Sequence, residues 1–467
     1  MLNDALSTRS QVVIVGGGIA GAWLAYRLAQ REVRTVLIAD DDRAQPLSRA
    51  AAGLIMQDAI HCTDRTAPSV FADSSTTQDP RYQARMIERA RAEFDALARI
   101  VPYGPVGDFV CPLGPTPGIR LGAGDDVVRQ VLARFEEHGG TRLRGRATDF
   151  VVTGGTCLGV RYEHEGQPGK VLAADVVLAS GGFTGLFEDG LGSGTGYLLG
   201  TYARRGGCLA NLELFNRFAL GDLDHRRPLY PFVLEGAHLL RSGEPATELA
   251  GDSNDLDVFT RYWIDNLDVP HTVELANGAT ARLGPVKGFS MGGIASASEP
   301  SNIHATGEAE YGMSLDSVAG KPFLSFLARG AELAETLARR ATGVSTEDFD
   351  AGPPAPPPDN ALPAAIQRRI ATLQDNRFSV ERAHTFLQWC ARERVQHFAD
   401  TESVDLLILA EAYTRAVLAR RESRGFFYRP DFPTIDPELD NQITHCRYDT
   451  DEDTVHVSLS PVGAAKV

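Results

Sequence analysis

The chain has 467 residues, 43% hydrophobic and 23% charged, which is enough for two or three folded domains with a sizeable core. Its formal net charge of −15 argues against nucleic acid and anionic membrane surfaces as partners and leaves a small molecule as the expected ligand. The six cysteines (Cys62, Cys111, Cys157, Cys208, Cys390 and Cys446) form no C-x-x-C pair, so no metal or iron–sulfur site is expected.

Residues 11–15 are continuous and β-branched, and so predict a buried strand. Gly16, Gly18 and Gly21 then open a helix from Ala20 to about Gln30, and Thr35–Ala39 predicts the next parallel strand. A G-x-G-x-x-G between strand and helix in a βαβ unit is a dinucleotide fingerprint. Gly16 permits the tight turn, Gly18 lets the backbone approach a pyrophosphate, and Gly21 lets helix and strand pack closely. Ile19 and Ala20 form the helix start, whose positive end attracts phosphate. An acid should follow the second strand to bind a ribose, and Asp40 takes that role.

Residues 121–140 predict a helix with Asp125 and Asp126 in its first turn. Ala174–Ala179 predicts a strand ending at Ser180-Gly181-Gly182. Residues 220–285 are irregular and acidic, as for an inserted cap. Strand-like residues return at Phe289–Ile294, and a helix runs from Pro322 to Arg340. Residues 351–359 form a proline-rich linker, 360–422 has helical periodicity, and 440–467 is strand-like before fraying. The expected architecture is α/β: a Rossmann-type FAD-binding domain (1–220 and 286–350), an inserted capping domain (221–285), the linker, and a C-terminal helical domain with a tail (360–467). The N-terminus has no basic region leading into an apolar stretch, and no apolar run approaches the ~20 residues of a membrane helix. A cytoplasmic location is expected.

Two features favour FAD over NAD. Ala179–Gly182 is like the A-T-G-G that closes this domain in two-dinucleotide-fold flavoproteins. Ala305-Thr306-Gly307-Glu308 resembles their A-A-G-E, where the Gly307–Glu308 segment would contact FAD. Further anchors are Ser193–Asn211, Ser290–Ile294 and Arg421–Tyr428 followed by Asp431-Phe432-Pro433. With these the chain resembles the fumarate reductase, succinate dehydrogenase and L-aspartate oxidase flavoprotein superfamily, from Val12 to about Pro437. The resemblance implies an active site between cap and flavin, with a hydride passing between substrate and flavin N5. It also places Pro322 and Phe323 near the flavin.

The departures from that family are as informative. Positions where it carries substrate-binding or proton-delivering groups are here Phe218, Gly288 and Ser317, with Leu256 in the weakly matched cap. A polar FAD contact is replaced by Tyr197. Where the dehydrogenases attach FAD covalently through histidine, Arg49 or Ala50 stands, so FAD is expected to be non-covalent. The segment Ser48–Leu54 is similar to the small-residue run of glycine-oxidase-type amine oxidases, which passes close to flavin; it adds Ser48, Ala52 and Gly53 to the cofactor contacts.

The catalytic candidates are Lys287 and Ser290 flanking the lost histidine, Arg424 in the C-terminal motif, Arg261 in the cap and His61. Lys287 could hold an anion or act as a base if burial lowers its pKa; the competing reading is a solvated lysine. Arg424 could pair with substrate or FAD, or fix the helical domain to the FAD domain. His61 is a possible base. The expectation is an FAD-dependent dehydrogenase or oxidase of a small amino-acid or amine derivative, with oxygen or a protein as electron acceptor. The alternative is a flavin-bearing or degenerate subunit serving an iron–sulfur partner. Oligomeric state is left open.

Overall fold

A computed structural model describes residues 6–40, 49, 53, 55–56, 80–106, 109–114, 122–229, 234, 236–246, 262–263, 266, 269–295, 300–312, 321–340, 348–350, 352 and 359–462. At its centre is a seven-stranded sheet in the order Thr141–Arg144, Thr35–Ala39, Leu6–Val15, Gln167–Leu178, Thr156–His164, Arg146–Thr153, with Ile303–Ala305 also paired to Gln167–Leu178. The pairings around Leu6–Val15 are parallel, and the two involving Thr156–His164 are antiparallel.

Successive residues of a strand point to opposite faces, and both faces of this sheet are covered. Val12 and Ile14 pack with the helices Ile19–Ala29, Ala123–Glu137 and Lys321–Arg340. Val13 and Val15 join the larger core that holds the helices Tyr197–Arg204, Leu362–Ile370, Val380–Gln396 and Thr401–Ala419. This explains why the strand reads as an unbroken apolar run. It begins earlier than residue 11 because Leu6–Ser10 pair with Gly169–Ala173. Ser10 is buried there, its hydroxyl donating to the Val12 and Arg34 carbonyls at 3.0 and 2.7 Å.

A six-stranded sheet runs Arg227–Pro228, Phe215–Asp222, Thr280–Ser290, His271–Glu274, His238–Arg241, Glu244–Pro245. It draws on residues either side of the expected 221–285 insertion. The terminal hairpin Gln442–Asp449 and Thr454–Pro461 completes a four-stranded sheet with Cys208–Ala210 and Gly293–Ile294. The chain end is therefore folded back onto the middle of the sequence. The linker falls largely outside the described residues. Among the described residues no helix is long and apolar enough to cross a membrane. Cys111, Cys157, Cys208, Cys390 and Cys446 are buried and free, and Cys62 lies outside the described residues.

Candidate active site

Val15, Leu178 and Ala305 stand in one row across the sheet, so their strands end at the same level. Gly16, Ser180 and Thr306 emerge together at this carboxyl edge, where open α/β sheets bind ligands. Gly16 has φ +121°, and a Cβ there would lie 2.2 Å from the Ala179 carbonyl oxygen. A Cβ on Gly21 would lie 2.1 Å from the Gly16 oxygen, and one on Gly307 would lie 2.7 Å from the Ala20 Cβ. The cradle thus needs glycine on both sides of the turn.

The Ile19–Ala29 helix begins at Gly18 with no side-chain cap and no acid in its first turn, leaving its donors and positive end for an anion. Ile19 and Ala20 are buried in that first turn, and Asp40 follows the Thr35–Ala39 strand half-buried. Ser180 Oγ and Thr306 Oγ1 are buried atoms without a hydrogen-bond partner, and Thr306 is 0% exposed. A glycine cradle, an uncapped helix start and two such hydroxyls fit a dinucleotide such as FAD. Pro322 and Phe323 are half-buried at the start of the Lys321–Arg340 helix, and Gly53 is buried at φ +65°. Ser48, Ala52, His61 and Arg261 lie outside the described residues, as do Leu256 and Ser317.

Glu308 joins three elements beside the cradle. Its Oε1 accepts from Ser290 N–H at 2.8 Å and Ser290 Oγ at 3.2 Å, and Gly182 N–H donates to the same carboxylate. A Cβ on Gly182 would sit 2.0 Å from Ser290 Oγ, so this contact needs Gly182 itself. Burial, partly offset by these donors, pushes the Glu308 carboxyl up to about 7. Gly181 has φ +78° and lets the chain turn away from the strand.

Lys287 is 2% exposed, which removes the solvated reading. Its strand pairs with Phe215–Asp222 and turns it inward, where Nζ donates to both Asp189 oxygens at 2.8 and 2.7 Å. Nζ also donates to Gln374 Oε1 at 3.3 Å and lies 5.0 Å from the Phe187 ring centroid. Opposite it across the strand pair, Arg217 donates to Asp375 at 3.1 Å. Asp375 has φ +52°, a conformation that aspartate tolerates better than most residues. Burial and the nearby Arg217 charge lower Lys287 to about 8. Burial alone would raise Asp189, but Lys287 and Arg217 outweigh it and hold the carboxyl below its ordinary value. Asp189, Arg217, Gln374 and Asp375 carry no sequence signal; they meet only through long-range packing.

Phe218 and Gly288 are packed together. A Cβ on Gly288 would lie 2.6 Å from the Phe218 ring and 3.2 Å from Asn216 Oδ1. Phe289 extends this apolar wall, its ring centroid 6.5 Å from that of Phe218. Tyr197 donates its hydroxyl to the Ala147 carbonyl at 2.7 Å and so ties its helix to the sheet.

Arg424 lies in a buried network. It donates to Glu422 at 2.9 Å and to Asp440 at 2.7 Å. Glu422 also pairs with Arg420, which reaches Glu213 at 2.6 Å; Arg420, Glu422 and Glu213 are each 0% exposed at the side chain. The motif thus joins the end of the Thr401–Ala419 helix to the residues just before the Phe215–Asp222 strand. Arg429 caps that helix by donating to the Val417 and Arg420 carbonyls.

Residues 11–112 match the FAD dependent oxidoreductase family, and residues 393–467 match the fumarate reductase flavoprotein C-terminal family. The chain is 26% identical over 500 residues to an L-aspartate oxidase of Mesorhizobium japonicum, covering 93% of this chain and 94% of that protein. Its fold is similar to that of the Mycobacterium smegmatis Sdh1 complex in the apo form, with TM-score 0.75, 16% identity, and coverage of 98% of this chain and 94% of that one. It is also similar to FrdA of E. coli quinol fumarate reductase, with TM-score 0.72, 16% identity, and coverage of 99% and 98%.

Proposed function

Since the chain is an FAD-dependent oxidoreductase of the fumarate reductase and L-aspartate oxidase flavoprotein superfamily, we propose that it oxidises a small amino-acid or amine derivative by hydride transfer to flavin N5. One observation carries the substrate assignment. Phe218 packs onto Gly288 where the superfamily places substrate-binding histidines, while the neighbouring cations Lys287 and Arg217 are held by the protein's own Asp189 and Asp375. A cation bound by an internal carboxylate offers little to a substrate carboxylate, because breaking a buried pair leaves a charge uncompensated. The similarity to an L-aspartate oxidase supports an amino-acid-like substrate, although the wall around Gly288 disfavours a second carboxylate.

Bound FAD supplies the two-electron acceptor. The protein's part is placement and proton management. Ser290 and Gly182 fix the orientation of the Glu308 carboxyl, which can hold or release a proton near neutral pH. Phe218 and Phe289 give the approach to Gly288 an apolar lining. Lys287 anchors the segment that follows Gly182 through its side chain and through the Lys287 N–H bond to the Asp189 carbonyl at 2.7 Å.

The test is anaerobic addition of amino acids, amines and dicarboxylates to the purified holoprotein while its visible flavin absorbance is followed. Bleaching by a monocarboxylic amino acid or an amine is expected. Turnover of succinate or aspartate at ordinary enzymatic rates would sink the substrate reading.

A further inference from the structure

We propose that Arg49 clasps the diphosphate of FAD against the glycine-rich turn. Arg49 is 9% exposed, and its Nη2 donates to the Gly17 carbonyl at 3.1 Å. A guanidinium is thus fixed on the turn that delivers the chain to the uncapped Ile19–Ala29 helix. Its Nη1 lies 3.4 Å from Asp125 Oδ1, in the first turn of the Ala123–Glu137 helix. The other Asp125 oxygen accepts from Arg129 Nε at 2.8 Å, a shorter contact. Asp125 therefore divides its charge between Arg49 and a second arginine, and the contact to Arg49 is the longer of the two.

The surroundings point to an anion. Thr306 Oγ1, fully buried and without a partner, belongs to the same carboxyl edge of the sheet. A chain of net charge −15 also needs concentrated local positive charge to retain a doubly charged diphosphate. The planar guanidinium suits phosphate oxygens better than a lysine ammonium would, since it can donate two parallel hydrogen bonds. The assignment rests on FAD binding alone and not on the substrate.

The experiment follows FAD release from diluted holoprotein by flavin fluorescence, with ADP and adenosine as competitors that differ only in the diphosphate. In the wild type, ADP should displace FAD about tenfold or more better than adenosine, as charged hydrogen bonds to phosphate require. Arg49→Ala should shrink that advantage to about twofold or less and speed FAD release, Arg49→Lys should keep part of it, and Asp125→Asn should leave it in place. If the ADP advantage survives in both Arg49 variants, the proposal is wrong. If Asp125→Asn removes the advantage as fully as Arg49→Ala does, Arg49 is a structural partner of Asp125 and the proposal is again wrong. Arg49→Lys supplies the answer should the alanine variant fail to fold.

Discussion

Replacing Lys287 by methionine removes an ammonium that is bound at 2.8 and 2.7 Å to both oxygens of Asp189 and keeps the apolar stem against Phe187. Breaking a buried ion pair costs about 3–5 kcal/mol because the partner is left uncompensated. The Asp189 side chain is 21% exposed and also feels Arg217, which places the loss near the lower end, about 3 kcal/mol. Asp189→Asn should cost a similar amount, and the double variant should lose much less than the sum. A double-mutant cycle read by denaturant unfolding of the holoprotein should give a coupling of about 2–3 kcal/mol. The pair also leaves a pH signature. Lys287 in the folded protein titrates near 8, below its ordinary 10.5, so between these values the unfolded chain binds more protons. Stability from this group therefore rises with pH across that window, and Lys287→Met should lack the rise. Losses that simply add, to within about 0.5 kcal/mol, would refute the reasoning.

Glu308 gives the opposite slope. Its folded value of about 7 lies above the ordinary 4.5, so its stabilising contribution is complete below 4.5 and is lost as pH rises through 7. Thermal melts of Glu308→Gln across that range should be flatter than those of the wild type. Gly16→Ala would place a Cβ 2.2 Å from a backbone oxygen at φ +121°, so this variant should be isolated without flavin, as judged by visible absorbance relative to protein. Gly288→Ala should cost about 1–3 kcal/mol of unfolding free energy through contact with the Phe218 ring, and adding Phe218→Ala should recover part of that loss. A neutral Gly288→Ala would show that the wall yields more readily than its packing implies.

The nucleotide side was legible because its rules are local. The strand Thr35–Ala39 has its expected bounds, and the Ile19–Ala29 helix begins where the glycines place it. A tight turn and close helix packing constrain residues a few positions apart, so they leave a pattern in the chain. The Lys287 cluster leaves none. Asp189, Arg217 and Asp375 come from three separate parts of the chain, and Asp189 in Phe-Glu-Asp-Gly looks like any surface turn. What buries Lys287 is the pairing of its strand with Phe215–Asp222, which composition does not encode. Ser290 reads in the sequence as a catalytic candidate and Glu308 as a cofactor contact, and neither motif indicates that the two are bonded to each other.

The Arg420, Glu422 and Glu213 side chains are fully enclosed, and they span the seam between the C-terminal helices and the residues leading into the Phe215–Asp222 strand. Parting that seam would strand several charges in a dry interior before water could reach them. The C-terminal helices are therefore a fixed wall of the site rather than a door.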